Sequence, residues 1–261
     1  MRNTYAVYAR EVRSYFSSPI FYILAFVFMI VIGNMFKDIF FAFATDTMRE
    51  LRVAQNYKTP LRLLSVDVVA RQMFSYINFL FLLIVPLLTM RLYAEEKKTG
   101  TMELLLTSPI TTIQVLFGKF LSALTIYSVM LALTLFFNII MMIESGGKLD
   151  WGMVMSSYLG SLLLGGAIIS IGMFFSSLTE NQIVAAATTM ATIMGLWLLI
   201  QTSRFLNPPF SDFVRFLSIS EHLEYFTMGF IGMQHVFYFL SVTLFGMFLT
   251  GITVESARWR Q

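Results

Sequence analysis

The sequence predicts an all-α membrane protein with six transmembrane helices, because charge, run length and hydropathy agree. Six runs of 19 to 30 residues contain no Lys, Arg, Asp or Glu. About 20 apolar residues span roughly 30 Å of hydrocarbon, and a charge at the centre of a span costs about 2.5–3.5 kcal/mol. The runs are Ser14–Phe36, Gln72–Met90, Phe120–Ile143, Trp151–Thr179, Asn181–Ser203 and Tyr225–Val254.

Composition excludes several other classes of protein. Apolar residues make up 57% of the chain and mean hydropathy is +0.74, values far above those of a soluble domain. The net charge of +3 is small and dispersed, which argues against a nucleic-acid partner. The absence of cysteine excludes disulfides and thiol-based zinc sites.

The first half of the chain is predicted to begin with an amphipathic surface helix over residues 3–18. Its expected apolar face is Tyr5, Tyr8, Val12, Tyr15 and Phe16, opposite Arg10, Glu11 and Arg13. Ser17-Ser18-Pro19 separates this helix from an uncleaved first span. Residues 37–71 are predicted to form a long polar connection with one short helix, Asp46–Asn56, that ends near Pro60.

The later elements follow from the remaining charges and prolines. Pro86 predicts a kink near the end of the second span. Glu144–Asp150 is a tight turn, and Glu180 marks a hairpin between the fourth and fifth spans. Residues 204–232, which contain Asn207-Pro208-Pro209, are predicted to re-enter the membrane, because the sixth run is too long for one span. The chain is expected to form one domain, 1–261.

Orientation does not follow from the positive residues. With an inside amino terminus, nine lysines and arginines fall on each side of the membrane, so the positive-inside rule favours neither orientation.

The charged segment after the second span is the strongest candidate for function. Arg91 and Glu95 share one face of a helix that continues the span into water, and Lys98-Thr99-Gly100 ends it. Gly100 is expected to cap a second short helix, Thr101–Leu106, with Glu103 in its first turn. This helix presents Leu104, Leu105 and Leu106. It is too short to persist alone, so it either folds onto its own protein or binds a partner.

This segment resembles the cytoplasmic coupling region of type-2 ABC transporter permeases. The resemblance is carried by Tyr93–Ile110 with Gln114 and Gly118-Lys119-Phe120, and by Gly172–Gln182, and it extends over nearly the whole chain. Within the superfamily the sequence is most similar to the gliding-motility permease (GldF) subgroup.

The resemblance implies a permease subunit of an ATP-driven exporter in the bacterial inner membrane, with both termini cytoplasmic. The coupling region, 94–108, would dock on a separate ABC ATPase subunit that holds ATP and Mg. The residues carried over are Glu95, Glu96, Gly100, Thr101 and Glu103, with Leu104 and Leu105 as the apolar contact. Glu180 and Asn181 are either a solvated turn or a second ATPase contact.

The other implied partners are a second permease subunit, identical or related, and membrane lipids, with a periplasmic accessory protein as a further candidate. The chain has no G-x-x-x-x-G-K-[ST] run, so no cofactor is expected in it and ATP is hydrolysed elsewhere. The cargo is expected to be amphipathic or lipid-like, or the subunit passes on a mechanical signal.

Two alternatives come from other classes: an intramembrane hydrolase that uses His222 or His235, and a scaffold without transport. His235 is expected to be a packed neutral imidazole, and His222, between Glu221 and Glu224, a solvated or headgroup-level one. No catalytic or metal site is assigned. Small residues in the fourth span, among them Gly165, Gly166 and Gly172, are expected to allow close helix packing, more within the subunit than across a dimer.

Overall fold

The computed structural model describes residues 2–57, 65–101 and 110–258, and every regular element in these ranges is an α-helix. In chain order the helices are α1 (Arg2–Ser17), α2 (Pro19–Tyr57), α3 (Val66–Thr89), α4 (Arg91–Lys98), α5 (Thr112–Leu133), α6 (Leu135–Glu144), α7 (Trp151–Leu178), α8 (Gln182–Ser203), α9 (Phe210–Leu217), α10 (Ile219–Thr227) and α11 (Met233–Arg258). Six segments are long and apolar enough to cross a membrane: α2, α3–α4, α5–α6, α7, α8 and α11. The predicted six-span helical fold is confirmed.

The first span differs from the prediction at its carboxyl-terminal end. A single helix of 39 residues, Pro19–Tyr57, takes in the first part of the predicted polar connection and the whole of the predicted short helix. The reason is that residues 37–57 contain neither glycine nor proline. Polar side chains end the membrane-crossing part of a helix, but only a backbone breaker or a competing cap ends the helix itself. The predicted stop near Pro60 lies outside the described residues.

Two other spans are interrupted. The second is divided at Met90, four residues after Pro86, although Met90 keeps helical φ and ψ of −54° and −33°. A kink at Pro86 stays a prediction. The third breaks at Thr134, where no sequence pattern predicted a break. The Thr134 hydroxyl lies 2.6 Å from the carbonyl of Leu131 and 2.9 Å from the hydroxyl of Tyr158. Such a side chain competes with the helical backbone bonds and bends the helix.

Helix α7 is the centre of the bundle and packs through its small residues. A Cβ on Gly165 would overlap the ring of Tyr127 in α5, and one on Gly172 would overlap Thr89 in α3. A Cβ on Gly166 would lie 3.5 Å from the hydroxyl of Thr243 in α11, at ordinary contact distance. All three glycines therefore lie against helices of the same chain.

The helix bundle has two ends, which we call the terminal face and the opposite face. The terminal face carries α1, α4, the start of α5 and the α7–α8 hairpin, which Asn181 closes by capping α8. The opposite face carries the α6–α7 turn, where Gly146 and Gly147 adopt positive φ of 64° and 83°. Only glycine enters this region without strain, which lets the chain reverse within a few residues.

On the opposite face the chain between α8 and α11 folds back along the bundle. The Ser220 hydroxyl donates to the Trp197 carbonyl in α8 (3.0 Å), and Phe226 packs on Gly160 in α7. Gly160 lies nine residues into α7, or about 14 Å along its axis. Helix α11 begins only at Met233, so Tyr225–Gly232 belongs to this returning segment, as the length of the sixth run predicted.

Candidate functional site

The structure brings the described part of the predicted site to the terminal face. Glu95 and Glu96 lie in α4, and Gly100 and Thr101 follow its end. Glu103, Leu104 and Leu105 fall outside the described residues. Glu180 and Asn181 lie in the α7–α8 hairpin on the same face.

Gly100 ends α4 in a left-handed conformation. Its φ is +71°, while Thr99 before it still has right-handed helical angles. A helix N-cap lies in the extended region, whereas a left-handed glycine directly after a helix is a common C-terminal cap. Thr101, directly after Gly100, is helical, and the rest of the predicted second helix lies outside the described residues. An N-cap role of Gly100 therefore stays a prediction.

A buried ion cluster joins α4 to α1 and α5. The Lys119 ammonium in α5 lies 2.9 Å from the Glu96 carboxylate and 3.1 Å from that of Glu11 in α1. Arg10 completes the cluster, with a guanidinium nitrogen 2.9 Å from Glu96 and 2.8 Å from Glu11. Two cations and two carboxylates from three helices thus meet at one point.

The cluster is almost removed from water at its centre. The Lys119 side chain is 1% exposed and also donates to the Leu92 carbonyl at 2.6 Å. Burial alone would raise the pKa of Glu11, but the charge of Lys119 and hydrogen bonds from Arg10 and Lys119 outweigh it and lower that pKa. Glu11 is therefore ionised at neutral pH and its charge is compensated.

The neighbouring end of α1 is fixed by aromatic contacts. The Arg91 guanidinium lies 4.1 Å from the centre of the Tyr15 ring, and the Tyr15 hydroxyl donates to the Leu88 carbonyl at 2.7 Å. Burial raises the pKa of Tyr15, so this phenol stays neutral and acts as a donor.

The inward face of α1 matches the predicted apolar face in part. Tyr15 is buried as predicted, and the Tyr8 hydroxyl lies 3.2 Å from that of Thr125 in α5. Val7, Glu11 and Tyr15, spaced at helical intervals of four, face the protein, whereas Tyr5 is 69% exposed. The stripe is set by α5, because a Cβ on Gly118 would lie 2.9 Å from the Cβ of Val7. The prediction placed Glu11 on the solvent face because it counted only apolar residues.

Helix α4 is also tied to α7. The Ser176 hydroxyl accepts from the amides of Tyr93 (3.0 Å) and Ala94 (3.1 Å) and donates to the Met90 carbonyl (2.7 Å). The Lys97 ammonium donates to the Ser177 carbonyl. Ser176 thus satisfies backbone groups left free where the second span is interrupted. Helix α4 is held from two sides and cannot shift without its neighbours.

Of the two residues predicted as a second ATPase contact, Glu180 and Asn181, Asn181 has a structural role. The Asn181 side chain accepts from the amides of Ile183 (2.9 Å) and Val184 (3.4 Å) and so caps α8. Glu180 lies beside it at the tip of the hairpin. An ATPase contact at either residue stays a prediction.

A cleft of about 300 Å³ opens beside the ion cluster, lined by Arg10, Glu11, Ser14, Arg91, Glu95, Glu96, Thr99, Thr101 and Lys119. Its lining is charged and polar, which suits contact with another protein surface.

The sequence analysis missed two residues of this site. Lys119 was included only as part of a motif, and Glu11 was not included. A lysine at the very start of an apolar run was the available signal, because it needs a carboxylate when buried.

The two histidines form a pair on the opposite face. The Nδ1 atoms of His222 and His235 lie 2.7 Å apart, and Nε2 of His222 lies 2.8 Å from the Phe216 carbonyl. His235 is packed as predicted, but His222 is 3% exposed, so the alternative that it is solvated is wrong. The alternative that it lies at headgroup level stays a prediction. Burial lowers the pKa of His222, against smaller opposing effects of the Phe216 carbonyl and Glu221.

Neither imidazole is placed for hydrolysis. Within residues 2–57, 65–101 and 110–258, the hydrogen-bond partners of the two rings are each other, the Phe216 carbonyl and Gln234, with no hydroxyl or carboxylate. In the same ranges no group of three or more His, Asp or Glu residues is arranged to hold a metal ion.

Six spans, a surface helix packed under them and a charged cleft on the terminal face define a membrane transport subunit of the permease type. The chain matches the family model described as ABC-2 family transporter protein over residues 5–256, and it belongs to that family. It is therefore a multi-pass permease subunit of an ABC transporter, a family that works with an ABC ATPase in a dimeric arrangement. A comparison with curated proteins found no match.

Proposed function

We propose that this chain is the membrane subunit of an ATP-driven exporter in the bacterial inner membrane, with the terminal face in the cytoplasm. A separate ABC ATPase subunit, which holds ATP and Mg, docks on the cleft beside Glu95 and Glu96 and on the adjoining segment with Glu103, Leu104 and Leu105. Two permease subunits, identical or related, form the pathway.

The observation that carries this proposal is the buried position of Lys119 between Glu11 and Glu96. Because the ion cluster joins α1, α4 and α5, and Ser176 joins α4 to α7, a force applied at the end of α4 acts on several spans together. A loosely attached helix would absorb such a force locally.

The apolar spans favour an amphipathic or lipid-like cargo. Transmission of mechanical force to a periplasmic accessory protein, in the manner suggested by the similarity to the gliding-motility subgroup, is the second interpretation of the same coupling. The hydrolase alternative is not favoured, since the histidines contact each other and a backbone carbonyl.

The test is ATPase activity of the assembled complex in proteoliposomes. Glu103→Arg and Leu105→Arg are expected to weaken ATPase binding about tenfold or more, equivalent to about 1.4 kcal/mol, and to abolish coupling. Glu255→Arg, on the same face at the end of α11, is the matched control and is expected to change neither. Unchanged co-purification and unchanged ATP hydrolysis in both test variants would refute the docking assignment.

A further inference from the structure

A second cavity, of about 500 Å³, lies on the opposite face between the end of α8 and the short helices α9 and α10. Its charged lining comes from three elements: Arg204 after α8, Arg215 in α9, and Glu221 and Glu224 in α10. Ile200, Leu206 and Pro208 supply apolar lining. The cavity thus offers two guanidinium and two carboxylate groups beside apolar walls.

Two of the four charged side chains that line this cavity form an ion pair with each other. A guanidinium nitrogen of Arg215 lies 2.7 Å from the Glu221 carboxylate. Among the residues that the structure describes, no side chain lies within ion-pair distance of Arg204 or Glu224. One cation and one anion are therefore available to a ligand that carries both charges.

The surroundings indicate that the ligand is a lipid. Phe205 is 89% exposed, and Phe210, Phe213 and Phe216 of α9 are between 57% and 71% exposed. No residue of α9 whose burial is described is buried. A helix that presents an aromatic face beside the ends of membrane spans lies in the bilayer interface, where acyl chains cover that face.

The depth of the cavity fits a headgroup. Ser220 contacts Trp197, which lies six residues before the end of α8, or about 9 Å along the axis. The start of α10, which lines the cavity, is therefore held near the end of α8, at the depth of headgroups and the first acyl carbons, while the end of α10 reaches deeper along α7.

We propose that this cavity binds the zwitterionic headgroup of a phospholipid that carries a primary amine. Arg204 binds the phosphate and Glu224 the ammonium, while the acyl chains lie along the aromatic face of α9. Guanidinium pairs well with phosphate, and an ammonium with N–H donors is the matching partner of a carboxylate. The inference deepens the proposed function and rests on it in naming the headgroup of the amphipathic cargo.

The test is lipid binding to the full-length, delipidated protein in detergent, measured by native mass spectrometry without ATPase or ATP. The probes are phosphatidylethanolamine, phosphatidylglycerol, which lacks the ammonium, and free phosphoethanolamine, which lacks acyl chains. Phosphatidylethanolamine is expected to bind about tenfold more tightly than phosphatidylglycerol.

Substitutions assign the two charges. Arg204→Gln is expected to weaken phosphatidylethanolamine binding about tenfold, Arg204→Lys less, and Glu224→Gln to remove the preference over phosphatidylglycerol. Arg71→Gln and Glu144→Gln, exposed on the same face away from the cavity, are the matched controls.

Three results would overturn the site: equal affinity for the two lipids, test variants that behave like the controls, or displacement by phosphoethanolamine at the concentration of the lipid. Because the measurement needs no ATPase, intact lipid selectivity together with a failed coupling test would refute the proposed function alone. Normal coupling with no selectivity would refute this site alone.

Discussion

Lys119 is the residue on which the terminal face depends most. Breaking a buried charge pair by removing one partner typically costs about 3–5 kcal/mol, because the remaining charge stays buried without compensation. Lys119 compensates two carboxylates at once, on α1 and α4. Its removal affects the attachment of both helices.

We expect Lys119→Met to lower the free energy of unfolding by about 3 kcal/mol, since Glu11 and Glu96 then share only the half-exposed Arg10. The measurement is reversible unfolding in mixed micelles, with Lys98→Met, exposed on the same face, as control. The double variant Glu96→Gln/Lys119→Met should lose less than the sum of the two single changes, because the residues interact. Additive losses would mean that the pair is not coupled.

At the scale of elements, the contact between α10 and α11 is built on the histidine pair. His222 stacks on Tyr238 at 3.9 Å and His235 stacks on Tyr225 at 4.3 Å, so each ring lies on an aromatic residue of the other helix. At 2.7 Å the two Nδ1 atoms can share one proton, but two protonated rings would place N–H against N–H.

This contact is expected to weaken in acid. The pKa of His222 is lowered from 6.5 by burial, so the folded contact favours the neutral ring. The stabilisation that the neutral His222 gives to this contact is fully present above pH 6.5 and is lost as the pH falls below that value toward the lowered pKa. The nearby charge of Glu221 opposes this loss, because it favours the protonated ring. Hydrogen exchange of 219–232, corrected for intrinsic rates, should rise between pH 7.5 and 5. A His222→Asn/His235→Asn variant that shows the same rise would contradict this mechanism.

At this scale, the sequence predicted the features that depend on local residues. It did not predict the features that depend on contacts between helices. Six spans and the α7–α8 hairpin follow from where charges occur. The predicted length of α2 was wrong because charge ends a span without ending its helix. The inward position of Glu11 on α1 was missed because it depends on contact with α5. The ion pair between Glu11 and Lys119 could be recognised only from the structure, because the two residues are far apart in the chain.

For the whole molecule, orientation is the property that charge counting left open. The chain contains no cysteine, so each introduced cysteine is its only thiol. We expect Thr101→Cys to be protected from a membrane-impermeant maleimide in intact cells and Lys148→Cys, exposed in the α6–α7 turn, to react at least about tenfold faster, because a charged reagent does not cross the hydrocarbon layer. Permeabilised cells, in which both should react, are the control. The reverse pattern would place the terminal face outside.

The unbroken first crossing helix has a mechanical consequence. At 1.5 Å per residue, its 39 residues measure about 58 Å, nearly twice the roughly 30 Å of hydrocarbon. A tilt of about 10° about the amino-terminal end of such a rod sweeps the far tip through about 10 Å. Movements of the size of a single helical turn inside the bilayer thus become displacements of a lever arm well beyond the lipid surface.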